Sequence, residues 1–219
     1  MRPDTFIDAL STMHLEDVFN PYVDRCDVYD KPDAPALRRE NLHTFLTAAH
    51  AQSIDSIWIA RDLGYRGGRR TGLPLTDEVH LPAFSKTFGG LKLHRATIGP
   101  PVAERTAAIV WRMLAHISVP VFLWNVFPFH PYFPGQPLSN RCHSQRERRA
   151  GESFLIDLLD MLKPRRIVAI GGDAYRVVTR LKGTDCSYVR HPSYGGHNAF
   201  ITGILDLYQI ALDTHAPST

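Results

Sequence analysis

No run of apolar residues in this 219-residue chain approaches the roughly 20 that a membrane-spanning helix needs. The N-terminal Met1-Arg2-Pro3-Asp4-Thr5 lacks the apolar stretch of a secretory signal, so export is not expected and the cytoplasm is the expected location. Cysteine is scarce: Cys26, Cys142 and Cys186 are widely scattered and form no CxxC pair. Such an odd, dispersed set argues against a disulfide framework or a zinc ribbon. Eleven histidines occur, among them His130, His143, His191 and His197, but none has H-E-x-x-H spacing. No metal site and no cofactor are therefore expected. A full G-x-G-x-x-G fingerprint is also missing, so Gly171-Gly172 reads as close packing of a strand on a helix. No repeat, low-complexity tract or linker divides the chain, and one domain over residues 1–219 is expected.

Hydrophobic residues make up 44% and charged residues 21%, the balance of a chain that buries a core. The net charge of +3 is mildly basic and compatible with a nucleic-acid partner. Its distribution is more informative. Arg61, Arg66, Arg69 and Arg70 crowd one turn, and Arg141, Arg146, Arg148 and Arg149 crowd another. Such clusters are either solvated loop faces or places for phosphates.

Helical spacing of apolar residues is expected over 5–15, 34–51, 102–116, 145–162, 173–181 and 198–213. Short apolar runs over 56–60, 119–124, 166–170 and 187–190 read as strands. Residues 61–101 are rich in Gly and Pro with little periodicity, and a long irregular stretch inside a compact domain is usually functional. Strands alternating with helices predict a three-layer αβα sandwich around a central, mainly parallel sheet of about four strands.

Three segments carry the chemistry. Ile57-Trp58-Ile59-Ala60-Arg61-Asp62-Leu63-Gly64-Tyr65 runs an apolar strand into a turn that holds an acid. Trp124-Asn125-Val126-Phe127-Pro128 places an Asn at the end of another strand. His191-Pro192-Ser193-Tyr194-Gly195-Gly196-His197-Asn198 comes after a third. An acid, an Asn and a His at the C-terminal ends of different strands is how an open α/β sheet builds a catalytic site. Asp62 can orient a water or stabilise positive charge growing on a sugar; it can equally cap a turn or pair with a neighbouring Arg. The Asn125 carboxamide offers a donor beside an acceptor, a pair that can read the hydrogen-bonding edge of a base. The alternative is a strand-end Asn satisfying backbone groups. His191 is suited to stabilise a developing negative charge, against a plain turn initiated by Pro192.

The order and wording of these segments resemble the uracil-DNA glycosylase superfamily. Tyr65-Arg66-Gly67, Arg70-Thr71-Gly72, Pro74 and Asp77-Glu78 are similar to the segment that continues a GEAPG-type first motif, and Ala60-Arg61-Asp62-Leu63-Gly64 stands where that motif falls. Asp62 occupies the position of the catalytic Asp in the GQDPY branch, where the GEAPG branch has Ala. Leu75 stands where an aromatic usually stacks on the flipped base, and Tyr65 or Phe127 are candidates to cover that face instead. Trp124–Pro128, Pro137-Leu138-Ser139-Asn140-Arg141 and His191-Pro192-Ser193 also look like superfamily segments. The likeness covers most of residues 55–205.

The resemblance implies a monofunctional DNA glycosylase acting on uracil or another deaminated base, with DNA as partner, no membrane, and a monomer as the working form. It implies catalytic roles for Asp62, Asn125 and His191, the last donating to O2 of the departing base. It implies a base pocket of Asn125, Tyr65, Leu75, Phe127 and His191. Arg66, Arg69, Arg70 and Ser193 would hold backbone phosphates. Tyr194, His197 and Asn198 would belong to the loop that wedges into the duplex. Some branches hold an iron–sulfur cluster through four cysteines, which this chain cannot supply. No lysine is placed for lyase chemistry, so the product would be an abasic site without a nick. Two other readings remain open: a base-binding or DNA-binding module with little or no activity, and an N-glycosidase of free nucleosides.

Overall fold

The computed structural model describes residues 1–181 and 185–211. Four parallel strands form the central sheet: β2 (Ser56–Asp62), β3 (Val121–Phe127), β5 (Arg166–Ile170) and β6 (Cys186–Val189), in the order β3-β2-β5-β6. The two central strands are nearly continuous apolar runs because both of their faces are covered. Ser56 through Ala60 of β2 and Ile167 through Ile170 of β5 are buried, and so is every residue of the edge strand β3.

The alternation of side chains sorts the helices into two layers. On one face, Phe122 stacks on Phe45 of α2 (Ala34–His50) at 4.1 Å, and Trp124 meets Phe6 of α1 (Pro3–Ser11) at 5.5 Å. Phe6 in turn packs edge-on against Phe154 of α6 (Gln145–Leu162). On the other face, Trp58 packs against Phe200 and Tyr208 of α8 (His197–Tyr208), with α5 (Arg105–Leu114) beside α8. The Trp58 indole N–H donates to the Tyr208 hydroxyl at 2.7 Å, so this large residue is buried without an orphaned donor. Full burial of each such side chain contributes roughly 1.5–3 kcal/mol. Helices on both faces of a four-stranded parallel sheet make the three-layer αβα sandwich that the alternation of elements predicts. No helix among the described residues is long and apolar enough to cross a membrane.

Several boundaries differ from the sequence reading. The stretch 61–101 holds two short helices, α3 (Gly68–Thr71) and α4 (Leu81–Thr87). Only Leu81 and Phe84 of α4 are buried, too few to show a period, yet Phe84 joins Phe45, Phe88 and Trp111 in an aromatic cluster. A two-residue antiparallel pair, β1 (Val18–Phe19) with β4 (His130–Pro131), also went unpredicted. Strand β3 extends to Phe127, so Asn125 lies inside it and not beyond its end. Helix α7 (Gly172–Val178) stops three residues early and α8 stops at Tyr208; residues 212–213 of the expected last helix lie outside the described residues.

The long connection from β3 to α6 is anchored at its far end. Ser144 caps α6 in a reciprocal capping box with Glu147. Arg141 clamps the same Glu147 carboxylate with two bonds of 2.8 and 2.7 Å. Between cap and clamp sits His143, which the anchored loop delivers to the end of β2.

Candidate active site

The C-terminal ends of β2, β5 and β6 surround a cleft of about 320 Å³. Its wall includes Asp62, Leu75, Glu104, Asn140, Gly171, His191, Ser193 and Tyr194. This is the carboxyl edge of a parallel sheet, where open α/β folds place their ligands.

Asp62 ends β2 with its carboxylate almost fully enclosed. Arg61 Nε donates to Oδ2 at 2.6 Å, and His143 Nδ1 donates to Oδ1. Arg61 also reaches Asp173, at the start of α7, at 3.2 Å. The acid is therefore held from two sides, by its sequence neighbour and by a loop 81 residues away.

His191 comes just after β6 and is half-buried. The Ser193 backbone N–H donates to its Nδ1 at 3.1 Å, and the Ser193 hydroxyl lies 2.7 Å from the same nitrogen. A ring nitrogen that accepts has no proton, so the neutral tautomer carries its hydrogen on Nε2. Burial, with the Arg61 and Arg190 charges adding to it, pushes this imidazole down to about 4. Near neutral pH it is an uncharged N–H donor. Two glycines permit the arrangement. Gly171, in the left-handed region at φ 91°, lies where a Cβ would come within 3.1 Å of His191 Cβ. A Cβ at Gly196 would meet the His191 carbonyl oxygen at 2.1 Å.

The remaining predicted residues divide. Leu75 lines the cleft, with positive φ (54°). Tyr194 is 98% exposed at the loop tip, and His197 and Asn198 are exposed in the first turn of α8. Arg66 is exposed, stacked 5.5 Å over Tyr65 and bonded to its hydroxyl. Tyr65 and Phe127 do not reach the cleft wall: Phe127 is fully buried between Phe129 and His143. Asn125 stands behind the wall, 1% exposed, its Nδ2 donating to the Asp62 carbonyl at 3.0 Å and its buried Oδ1 without a partner among the described residues. It supports the Asp62 backbone and does not display a free donor–acceptor edge.

Three phosphate assignments are corrected. Arg69 is 2% exposed; it donates to the Tyr29 hydroxyl, His130 Nδ1 and the Pro137 carbonyl at 2.7–2.9 Å and lies 3.7 Å over the Phe19 ring. Arg70 is also buried, bonded to Glu78 at 2.9 Å and stacked on Tyr29. Neither guanidinium is available to a phosphate, because each is already desolvated and paired. The Ser193 hydroxyl faces His191 Nδ1, so it too is engaged inside the protein.

Sequence reasoning did not single out Glu104, Asn140 as a cleft residue, or His143 as the partner of Asp62. Asn140 is oriented by a chain of bonds. Arg69 donates to His130 Nδ1, and His130 Nε2 then donates to the Ser139 carbonyl (2.8 Å) and Asn140 Oδ1 (3.2 Å). The Tyr65 N–H adds a second donor to Asn140 Oδ1 at 3.0 Å. With its oxygen so occupied, Asn140 has its NH₂ group left to offer.

A parallel αβα sheet with a buried acid and a neutral imidazole at its carboxyl edge defines an open α/β protein with a polar binding cleft. The family model for the uracil DNA glycosylase superfamily matches residues 65–209, and the chain belongs to that superfamily of DNA glycosylases. Among solved structures, the crystal structure of wild-type SMUG2 from Pedobacter heparinus is similar in fold, with a TM-score of 0.61. Identity is 13%, over 94% of this chain and 96% of that one. No curated protein is similar enough in sequence to match.

Proposed function

We propose that the chain is a monofunctional glycosylase that hydrolyses the N-glycosidic bond of uracil or another deaminated base in DNA. The observation that carries this reading is His191, neutral by environment, with Nδ1 occupied by Ser193 and Nε2–H left as the donor. A departing base anion needs a preorganised donor that does not itself have to lose charge, and such groups contribute on the order of 10²–10³ in rate. Asp62, fixed by Arg61 and His143, supports positive charge on the sugar as the bond breaks. The base leaves the stack to reach the cleft, where Asn140 and Leu75 border it. Tyr194, His197 and Asn198 meet the duplex, and Arg66 meets a phosphate.

Excision from uracil-, hypoxanthine- and xanthine-containing oligonucleotides, read by alkaline cleavage of the abasic product, tests the proposal. His191→Ala should abolish excision with the fold intact, and Asn125→Ala should do so by releasing the Asp62 backbone. A wild-type protein that cleaves no deaminated substrate would sink it.

A second reading, a base- or DNA-binding module with the same cleft and little activity, is favoured by one observation. Both Asp62 oxygens already accept from protein donors. It predicts salt-dependent binding of the same oligonucleotides without product.

A further inference from the structure

Asp62 is nearly enclosed and each of its oxygens already accepts a bond, from Arg61 and from His143, so it is poorly placed to hold and deprotonate a water. Of the two other acids in the cleft wall, Asp173 is paired with Arg61 and Arg176, whereas Glu104 sits in a different setting. Glu104 immediately precedes α5, and its backbone N–H donates to Asp77 Oδ2 at 2.7 Å. Its carboxylate lies against two bare backbones. A Cβ at Gly64 would come within 2.4 Å of Oε1, and one at Gly67 within 2.2 Å of Oε2. The glycines of the first loop thus leave room for this carboxylate at the cleft. Among the described residues no donor is bonded to it.

We propose that Glu104 is the base that takes the proton from the attacking water. The inference rests on the glycosylase reading and adds the group that reading lacks. The water oxygen forms a bond to the anomeric carbon. The carbon–nitrogen bond breaks, and its electron pair leaves with the base, next to His191 Nε2–H. One water proton passes to Glu104, which later returns it to the departed base or to solvent. Asp62 keeps its electrostatic role on the sugar.

The surroundings of Glu104 suit this task. Burial first, and the Asp77 charge second, raise it to about 7, with Arg66 opposing. Across the cleft stand the Arg61–Asp62–Asp173 cluster, Arg190 and His191. A general base works best when it titrates near the working pH, and such catalysis is worth roughly 10²–10⁴ in rate.

The test is single-turnover excision from a uracil-containing oligonucleotide between pH 5 and 9. The wild-type rate should rise about tenfold per pH unit on the acid side and level off above about 7. Glu104→Gln should lose roughly 100-fold or more at the plateau and lose the rising limb, with oligonucleotide binding retained and a melting temperature no lower than that of the wild type. In Glu104→Ala, added formate should restore part of the rate. Asp62→Asn should be slower but keep the limb. A Glu104→Gln protein with an intact limb, fast or slow, overturns the role of Glu104 and leaves the glycosylase reading standing. A wild-type protein that excises nothing overturns both.

Discussion

His143 donates its Nδ1–H to the carboxylate of Asp62, although 81 residues separate them. The bond ties the β3–α6 connection to the end of β2 and fixes the acid over the cleft. Both side chains are more than nine-tenths enclosed, so water cannot substitute for either partner. His143→Ala should leave one carboxylate oxygen unpaired in a desolvated site, at a stability cost of about 1–3 kcal/mol. It should also slow excision, since a misplacement near 1 Å can cost roughly 100-fold. Denaturant midpoints and single-turnover rates on one oligonucleotide check both parts. An unchanged rate with lowered stability would mean the pair only holds the loop.

The Arg69–His130 bond predicts an acid-sensitive fold. His130 is fully buried and pushed down to about 4, first by burial and then by the Arg69 charge. In the unfolded chain this histidine takes a proton near 6.5, while in the folded chain it does not until about 4. The unfolded state therefore binds more protons between those values. The stabilising contribution is complete above about 6.5 and falls as pH drops toward 4, by up to about 3 kcal/mol. His191 acts in the same direction over the same window. Glu104 acts in the opposite direction: raised to about 7, it contributes below about 4.5 and loses its contribution as pH rises to 7. Urea unfolding at pH 7, 6 and 5 should show a loss of stability on acidification that shrinks in His130→Gln. An identical slope in that variant would remove His130 from the account.

Arg66 and Arg69 lie three residues apart and should behave as different kinds of residue. Arg66 is exposed, so Arg66→Ala should leave stability within ~0.5 kcal/mol. It should weaken DNA binding evenly across sequences and reduce the salt slope by about one. Arg69→Ala removes a buried guanidinium with three bonded partners and should cost about 3 kcal/mol or more. At low temperature, where it is still folded, its salt slope should match the wild type. Titrations between 50 and 200 mM salt distinguish the two.

The sheet and its order of functional segments were legible because burial on both faces leaves unbroken apolar runs, and because strand ends collect polar residues at one edge. Asp62 and His191 follow from that logic, and they line one cleft. What the pattern could not show was pairing. Four arginines within ten residues look alike in sequence. Only the folded loop reveals that Arg69 meets Tyr29 and His130, that Arg70 meets Glu78, and that Arg66 meets solvent. Asn125 was expected at the end of its strand but lies inside β3, and its carboxamide is turned to the Asp62 carbonyl, a choice no spacing encodes. Glu104 and His143 reached the site through irregular segments, where periodicity is silent.

Tyr194 predicts a difference between substrates. Its backbone is held at φ 51°, where a non-glycine residue is uncommon, and its side chain is 98% exposed. An aromatic held outward by a strained turn, beside the His191 donor, has no packing role in the free protein. Its removal should therefore not change the melting temperature. Its use lies in filling the gap when a nucleotide leaves a duplex, and an unpaired strand offers no such gap. Tyr194→Ala should slow excision from double-stranded DNA, with stacking of roughly 1–3 kcal/mol at stake, which is about 5-fold to 150-fold in rate. Single-stranded substrate should be affected far less. Equal losses on both substrates would place Tyr194 in the base pocket, and no loss on either would leave it outside the interface with DNA.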